Sequence, residues 1–293
     1  MEAHGYERLQ LIGRGSQGHV YKCRRVGAEQ LSVAKVIPFS AAEGGSGDTR
    51  RHETAGGTRE KALKESALLS SLRHPNIVLH HESFLLASVP GLSEPDSLCV
   101  IMALCEGGDL HQAIQRRAQS GTHFGEGQVL WWLVQLALAL RYMHDRHLLH
   151  RDVKSSNIFL RAGGPSFRTS GSILQFGDFG MARTLKNSME LARTCVGTPS
   201  FMSPEVVRGS PYGAKTDVWG LGCVMYQVSA LKNAFAESTL NRTMQRILAS
   251  DYAPLPAREE AVSHPTNHKR IPVSFIDRLT EPPLNDGRRT QKY

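Results

Sequence analysis

Apolar positions in this chain change period along its length, and the changes mark its elements. After the glycine-rich LIGRGSQGHV, residues Val20 and Tyr21 continue with β-type side chains, and VAKVI at Val33 to Ile37 reads as a short buried strand. EKALKESALLSSL carries Ala62, Leu63, Ala67, Leu68, Leu69 and Leu72 in a helix-like pattern. VLWWLVQLALALRYM at Val129 to Met143 predicts a buried central helix, too short to span a bilayer comfortably. Three stretches lack apolar periodicity: Ser40 to Thr58, Leu86 to Ser97 and Arg161 to Ser172, which are expected to be flexible insertions. Beyond Ala253, prolines 254, 256, 265, 272, 282 and 283 break any helical pattern.

Composition narrows the options without choosing among chemistries. The length of 293 residues suits one two-part unit with an ordinary apolar core. A net charge of +8 invites a nucleic-acid reading, yet the arginines occur as separate pairs at 24–25, 50–51, 116–117 and 288–289. No dedicated nucleic-acid site is expected, and the basic surface favours acidic partners. Five cysteines without CxxC spacing predict reduced thiols in a cytosolic compartment. The N-terminus lacks an apolar stretch, so neither a secretory signal nor membrane insertion is expected. The histidines show no zinc spacing.

The chemistry is concentrated in HRDVKSSN at His150 to Asn157 and DFG at Asp178 to Gly180. Phosphoryl transfer needs a hydroxyl held in line with a phosphate and the developing charge neutralised by metal ions and cations. Asp152 would orient the attacking hydroxyl and accept its proton. Asn157 and Asp178 supply oxygens suited to Mg²⁺, and Lys154 places a positive charge near the γ-phosphate. Upstream, Gly13, Gly15 and Gly18 are spaced to let backbone amides reach phosphates, with Ile12, Arg14 and Ser16 between and beside them. The β-type residues that follow predict a hairpin here, not the strand-to-helix turn of a dinucleotide fold. Lys35 would turn its ammonium toward the α- and β-phosphates of ATP. Glu65, in register with the leucines of its helix, would pair with Lys35, and Glu60 is the rival.

These motifs, with CEGGDL at Cys105 to Leu110, VGTPSFMSPE at Val196 to Glu205 and TDVWGLGCVMYQ at Thr216 to Gln227, resemble a eukaryotic Ser/Thr protein kinase of the NIMA-related (NEK) family. The resemblance implies an α+β bilobal fold in one domain, 1–293. A small antiparallel-sheet N-lobe with one main helix would span about 6–102, the hinge 103–105, and a larger helical C-lobe 106–293. Within that lobe 251–293 is atypical and the last helix is expected to be lacking, leaving the lobe less stable or completed by self-association or another chain. Met102 falls at the gatekeeper position. Ala103, Leu104 and Cys105 would bond adenine through their backbone, and Val20 and Ala34 would sandwich the ring. Thr198 and Lys154 mark Ser/Thr specificity, Glu205 would pair with Arg288, and Asp217 would brace the catalytic loop.

Thr194 lies between DFG and SPE, where Arg151 could grip its phosphate, and it is the expected regulatory phosphosite with Ser188 as the runner-up. Met181 resembles residues that go with serine acceptors. Gln17, Ala103 and Ser203 depart from the family's usual residues, and Gln17 leaves the phosphates less shielded. The implied function is ATP- and Mg²⁺-dependent phosphorylation of Ser/Thr in protein substrates, with a catalytically weak scaffold as the alternative. The implied location is the cytoplasm, with cytoskeletal or flagellar attachment.

Overall fold

The structure, a computed structural model, describes residues 1–15, 18–39, 66, 70–87, 96–161, 172–177, 199–211 and 213–255. Described residues within Met1–Gly107, Phe159–Ala162 and Gln175–Thr184 form one compact unit. Those within Gly108–Ile158, Gly163–Leu174 and Leu185–Tyr293 form a second.

The first unit is an antiparallel sheet of β1 (Tyr6–Gly15), β2 (Gly18–Arg25), β3 (Leu31–Pro38), β4 (His80–Leu86) and β5 (Ser97–Ala103), in the order β1-β2-β3-β5-β4. Interior strand β5 is buried from Ser97 to Ile101, which is why it reads as an unbroken apolar run instead of an alternating one. Its successive side chains still part to opposite faces. Cys99 and Ile101 join Tyr6, Cys23 and Ala34 on one face. Leu98 and Val100 join Ile37 on the other, with Met102 packed against them. Ser66 and Ser70 are helical, Ser71 is in a turn and Leu72 is buried past the helix, so the predicted pattern runs two residues too far; 60–65 and 67–69 lie outside the described residues.

The second unit is helical. Asp109 caps α1 (Leu110–Ser120) by accepting the Gln112 amide at 2.8 Å, and Gly121 closes it at φ +65°. The predicted central helix is α2 (Glu126–His144), burying Val129, Trp132, Leu136, Leu140 and Met143. A ribbon of β6 (Ile158–Arg161) and β7 (Ile173–Phe176) comes next along the chain, with Phe159–Arg161 and Gln175–Phe176 belonging to the first unit. Then come short α3 (Pro204–Val207), α4 (Ala214–Ala230) and α5 (Leu240–Ala249). Helix α4 is buried almost all round, and Trp219 stacks on Phe235 with centroids 5.4 Å apart. An antiparallel sheet in one unit and helices in the other are the α+β content that the resemblance implies. Insertion Ser40 to Thr58 and the proline-rich 256–293, including the question of a last helix, lie outside the described residues.

Candidate active site

The pairing of β1, β2, β3, β5 and β4 places Gly13, Val20, Lys35, Val100 and Ser83 in one row across the sheet. Directly opposed residues share a face, so Lys35, Val20 and Gly13 look to the same side. Lys35 is 8% exposed. Two of the predicted phosphate-loop glycines are separated by their surroundings. At Gly18, φ is +129° and a Cβ would collide with the Val36 carbonyl, so the sheet itself demands glycine. Among the described residues, a Cβ at Gly13 would meet only Val20 at ordinary contact distance, which leaves this side open to a ligand.

The pleat corrects one expectation. Ala34 precedes Lys35 and therefore points to the opposite face, where it is fully buried with Tyr6, Cys23, Cys99 and Ile101. It cannot sandwich a ring on the side of Val20. Val33, two positions before Lys35 and paired with Met102, occupies the place given to Ala34. Counting by two from Lys35 along VAKVI was the signal that could have found it.

At the hinge, the Ala103 amide already donates to the Leu79 carbonyl at 2.9 Å. Among the described residues no hydrogen bond engages the amides of Leu104 and Cys105, so these, with the carbonyls, are the groups a base could meet. The Cys105 thiol donates to Gln175 Oε1 at 3.3 Å, and Gln175 Nε2 donates to the Pro75 carbonyl. Burial pushes this thiol up to about 11, which keeps it protonated. Gly177, before Asp178, carries the Phe159 ring where a Cβ would have to go.

In the second unit, the catalytic loop is tied around Asp152. Lys154 Nζ donates to Asp152 Oδ2 at 2.8 Å. Asn157, in a short 3₁₀ turn at Ser155–Asn157, donates both amide protons back to Asp152, to the carbonyl and to Oδ2, each at 2.9 Å. Among the described residues Asp152 Oδ1 and Asn157 Oδ1 carry no hydrogen bond. One oxygen is thus left to meet a hydroxyl and another to meet a cation.

Beneath the loop, Asp217 on α4 is 1% exposed and accepts the amides of His150 and Arg151, each at 2.9 Å. His144 Nε2 lies 2.8 Å from Asp217 Oδ2. His144 was not singled out in the sequence, where it is one of many histidines without motif spacing. A Cβ at Gly220 would run into the Val153 backbone, so glycine lets α4 approach the loop closely. Glu205 accepts the Thr216 hydroxyl at 2.6 Å, while its expected partner Arg288 lies outside the described residues. Ser16, Glu60, Glu65, Asp178, Ser188, Thr194 and Thr198 lie outside them too.

A family model for the protein kinase domain matches residues 6–285. The chain belongs to the protein kinase domain family. It is similar to the mouse serine/threonine-protein kinase Nek1, with 40% identity over 85% of this chain and 18% of that protein. Human Nek5 is 38% identical over 85% of this chain and 31% of its own length. Human Nek11 is 38% identical over 87% of this chain and 36% of its own. The chain thus spans between about a fifth and about a third of these relatives. Kinase domains of this family use ATP and Mg²⁺ in general. Taken unit by unit, open Gly13 and buried Lys35 in the first fit phosphate groups, and the available oxygen of Asn157 in the second fits a divalent cation. Among the described residues no helix is long and apolar enough to cross a membrane.

Proposed function

We propose that this chain is an active protein kinase that phosphorylates serine or threonine in protein substrates. The supporting observation is the arrangement about Asp152. Its Oδ2 is held by Lys154 and Asn157, so Oδ1 remains to orient a substrate hydroxyl and take its proton as the oxygen attacks. When bound, Mg²⁺-ATP supplies the γ-phosphoryl group and neutralises its charge. Asn157 Oδ1 and Asp178 would hold the metal, and Lys35 would hold the α- and β-phosphates with Glu65 as its partner. Lys154, already beside Asp152, would place its ammonium against the transferring group. Val20, Val33 and Met102 would border the adenine, with the hinge backbone bonding its edge.

Regulation by phosphorylation belongs to the same reading. Phosphate on Thr194, or on Ser188, would be gripped by Arg151 beside the base. The buried thiols of Cys23, Cys99 and Cys223 are compatible with a reducing cytoplasm, where we place the protein. Cytoskeletal or flagellar attachment rests on the NEK resemblance alone, and imaging of the tagged chain tests it.

Transfer of labelled phosphate from ATP to a generic protein substrate tests the proposal. Wild type is expected to label serine or threonine, and Asp152→Asn and Asp178→Ala to abolish labelling. Wild-type protein with no more transfer than Asp178→Ala would leave the scaffold reading in its place.

A further inference from the structure

A buried polar cluster lies on the Lys35 face of the sheet, at the β4 edge. Ser66 Oγ donates to Ser83 Oγ at 2.5 Å, Ser83 Oγ lies 2.6 Å from His80 Nε2, and Ser66 Oγ lies 3.5 Å from the same nitrogen. Ser66 is 3% exposed and His80 6%. His80 and Ser83 are three residues apart, and in a regular strand they would point to opposite faces. The pairing of β4 with β5 slips between His80 and Glu82, and this bulge turns both onto one side. There His80 opposes Met102, while Ser83 opposes Val100, which in turn opposes Lys35. Ser83 is therefore two strands from Lys35 in the same row, about 10 Å at ordinary strand spacing.

An apolar trio would pack against this sheet more cheaply, since among the described residues His80 Nδ1 is left buried without a partner. Polar groups accept only a narrow range of distances and angles, so they fix a position where apolar groups would tolerate sliding. Ser66 is the residue directly after Glu65.

We propose that Ser66, Ser83 and His80 form a latch that fixes Ser66, itself helical, on the Lys35 face, and that through its peptide bond to Ser66 Glu65 would be held for the pairing with Lys35 proposed above. The latch makes these three positioning residues and rests on the kinase reading above. Ser83→Ala removes the central hydroxyl, and Ser83→Thr keeps it. With Ser83→Ala, kcat is expected to fall about tenfold, the size of one buried hydrogen bond, while KM for ATP stays within about twofold. Ser83→Thr is expected to restore kcat, and Ser66→Ala with Ser83→Ala to be no worse than either alone, because both break one unit. Amide hydrogen exchange is read on the same proteins. The peptide containing Ser66 should exchange about tenfold faster in Ser83→Ala but not in Ser83→Thr, with α4 peptides unchanged.

The two readings fail differently. Wild type without phosphoryl transfer overturns the kinase reading, and exchange then judges the latch alone. Active wild type with unchanged exchange at Ser66, or with additive losses in the double variant, overturns the latch.

Discussion

Asp217 Oδ1 accepts the backbone amide of Arg151 at 2.9 Å, and Arg151 is held at φ +67°, a left-handed conformation that costs a non-glycine residue on the order of 1–2 kcal/mol. The carboxylate offsets that strain at the residue next to the proposed base. Asp217→Ala would release the amides of His150 and Arg151 and the His144 ring together. Charge-assisted bonds contribute about 1.5–3 kcal/mol each, so kcat is expected to drop by about a hundredfold or more, with a lower Tm. Asp217→Asn, which keeps one acceptor, should fall between the two. Steady-state kinetics and a thermal melt on the three proteins check the order.

Asn157 faces Asp152 with donors only. Asn157→Asp keeps the size but sets oxygens against the Asp152 carbonyl and Oδ2, each now 2.9 Å from Nδ2. Repulsion should displace the base, and kcat is expected to fall by about a hundredfold in single-turnover measurements.

Glycines 13 and 18 should respond differently to the same change. Gly18→Ala forces a methyl into the Val36 carbonyl at positive φ and is expected to destabilise the fold by about 2 kcal/mol or more. Gly13→Ala has room and should leave the Tm nearly unchanged while raising KM for ATP. A melt combined with ATP titration separates them.

The pleat correction has its own test. Ala34→Leu overpacks a fully buried site on the face away from Lys35, so stability is expected to fall by about 1–3 kcal/mol with KM for ATP unchanged in the folded protein. Val33→Ala should do the reverse, raising KM with a small effect on Tm. If Ala34→Leu raised KM and Val33→Ala did not, the assignment of faces would be wrong.

Burial holds His74 and His80 below the ordinary histidine value of 6.5. The folded state then resists protonation more than the unfolded chain does. Stability is complete above the unfolded value and is lost as pH falls from about 6.5 through the lowered folded values. Melts between about pH 5 and 8 should show this acid loss, and His80→Leu should flatten it. A Tm that rises on acidification would contradict the sign.

Much of the site was legible because it is local. Asp152, Lys154 and Asn157 lie within one turn of chain, so their spacing in HRDVKSSN already fixed that they could meet. The helix at Val129 to Met143 was legible for a similar reason, its long apolar run reappearing inside α2. Asp217 could be named only through the family resemblance, because it meets the loop from 66 and 67 residues away.

What the amino-acid order determined by itself was the chemistry on offer: which side chains can donate, accept or carry charge, and which of them are neighbours along the backbone. Tertiary structure decided the rest, because facing and register are properties of paired strands. Ala34 and Val33 are both small apolar neighbours of Lys35, and only the pleat puts one in the core and the other beside the ammonium. His80 and Ser83 should diverge by strand period, and only a bulge set by the pairing with β5 brings them onto one face with Ser66.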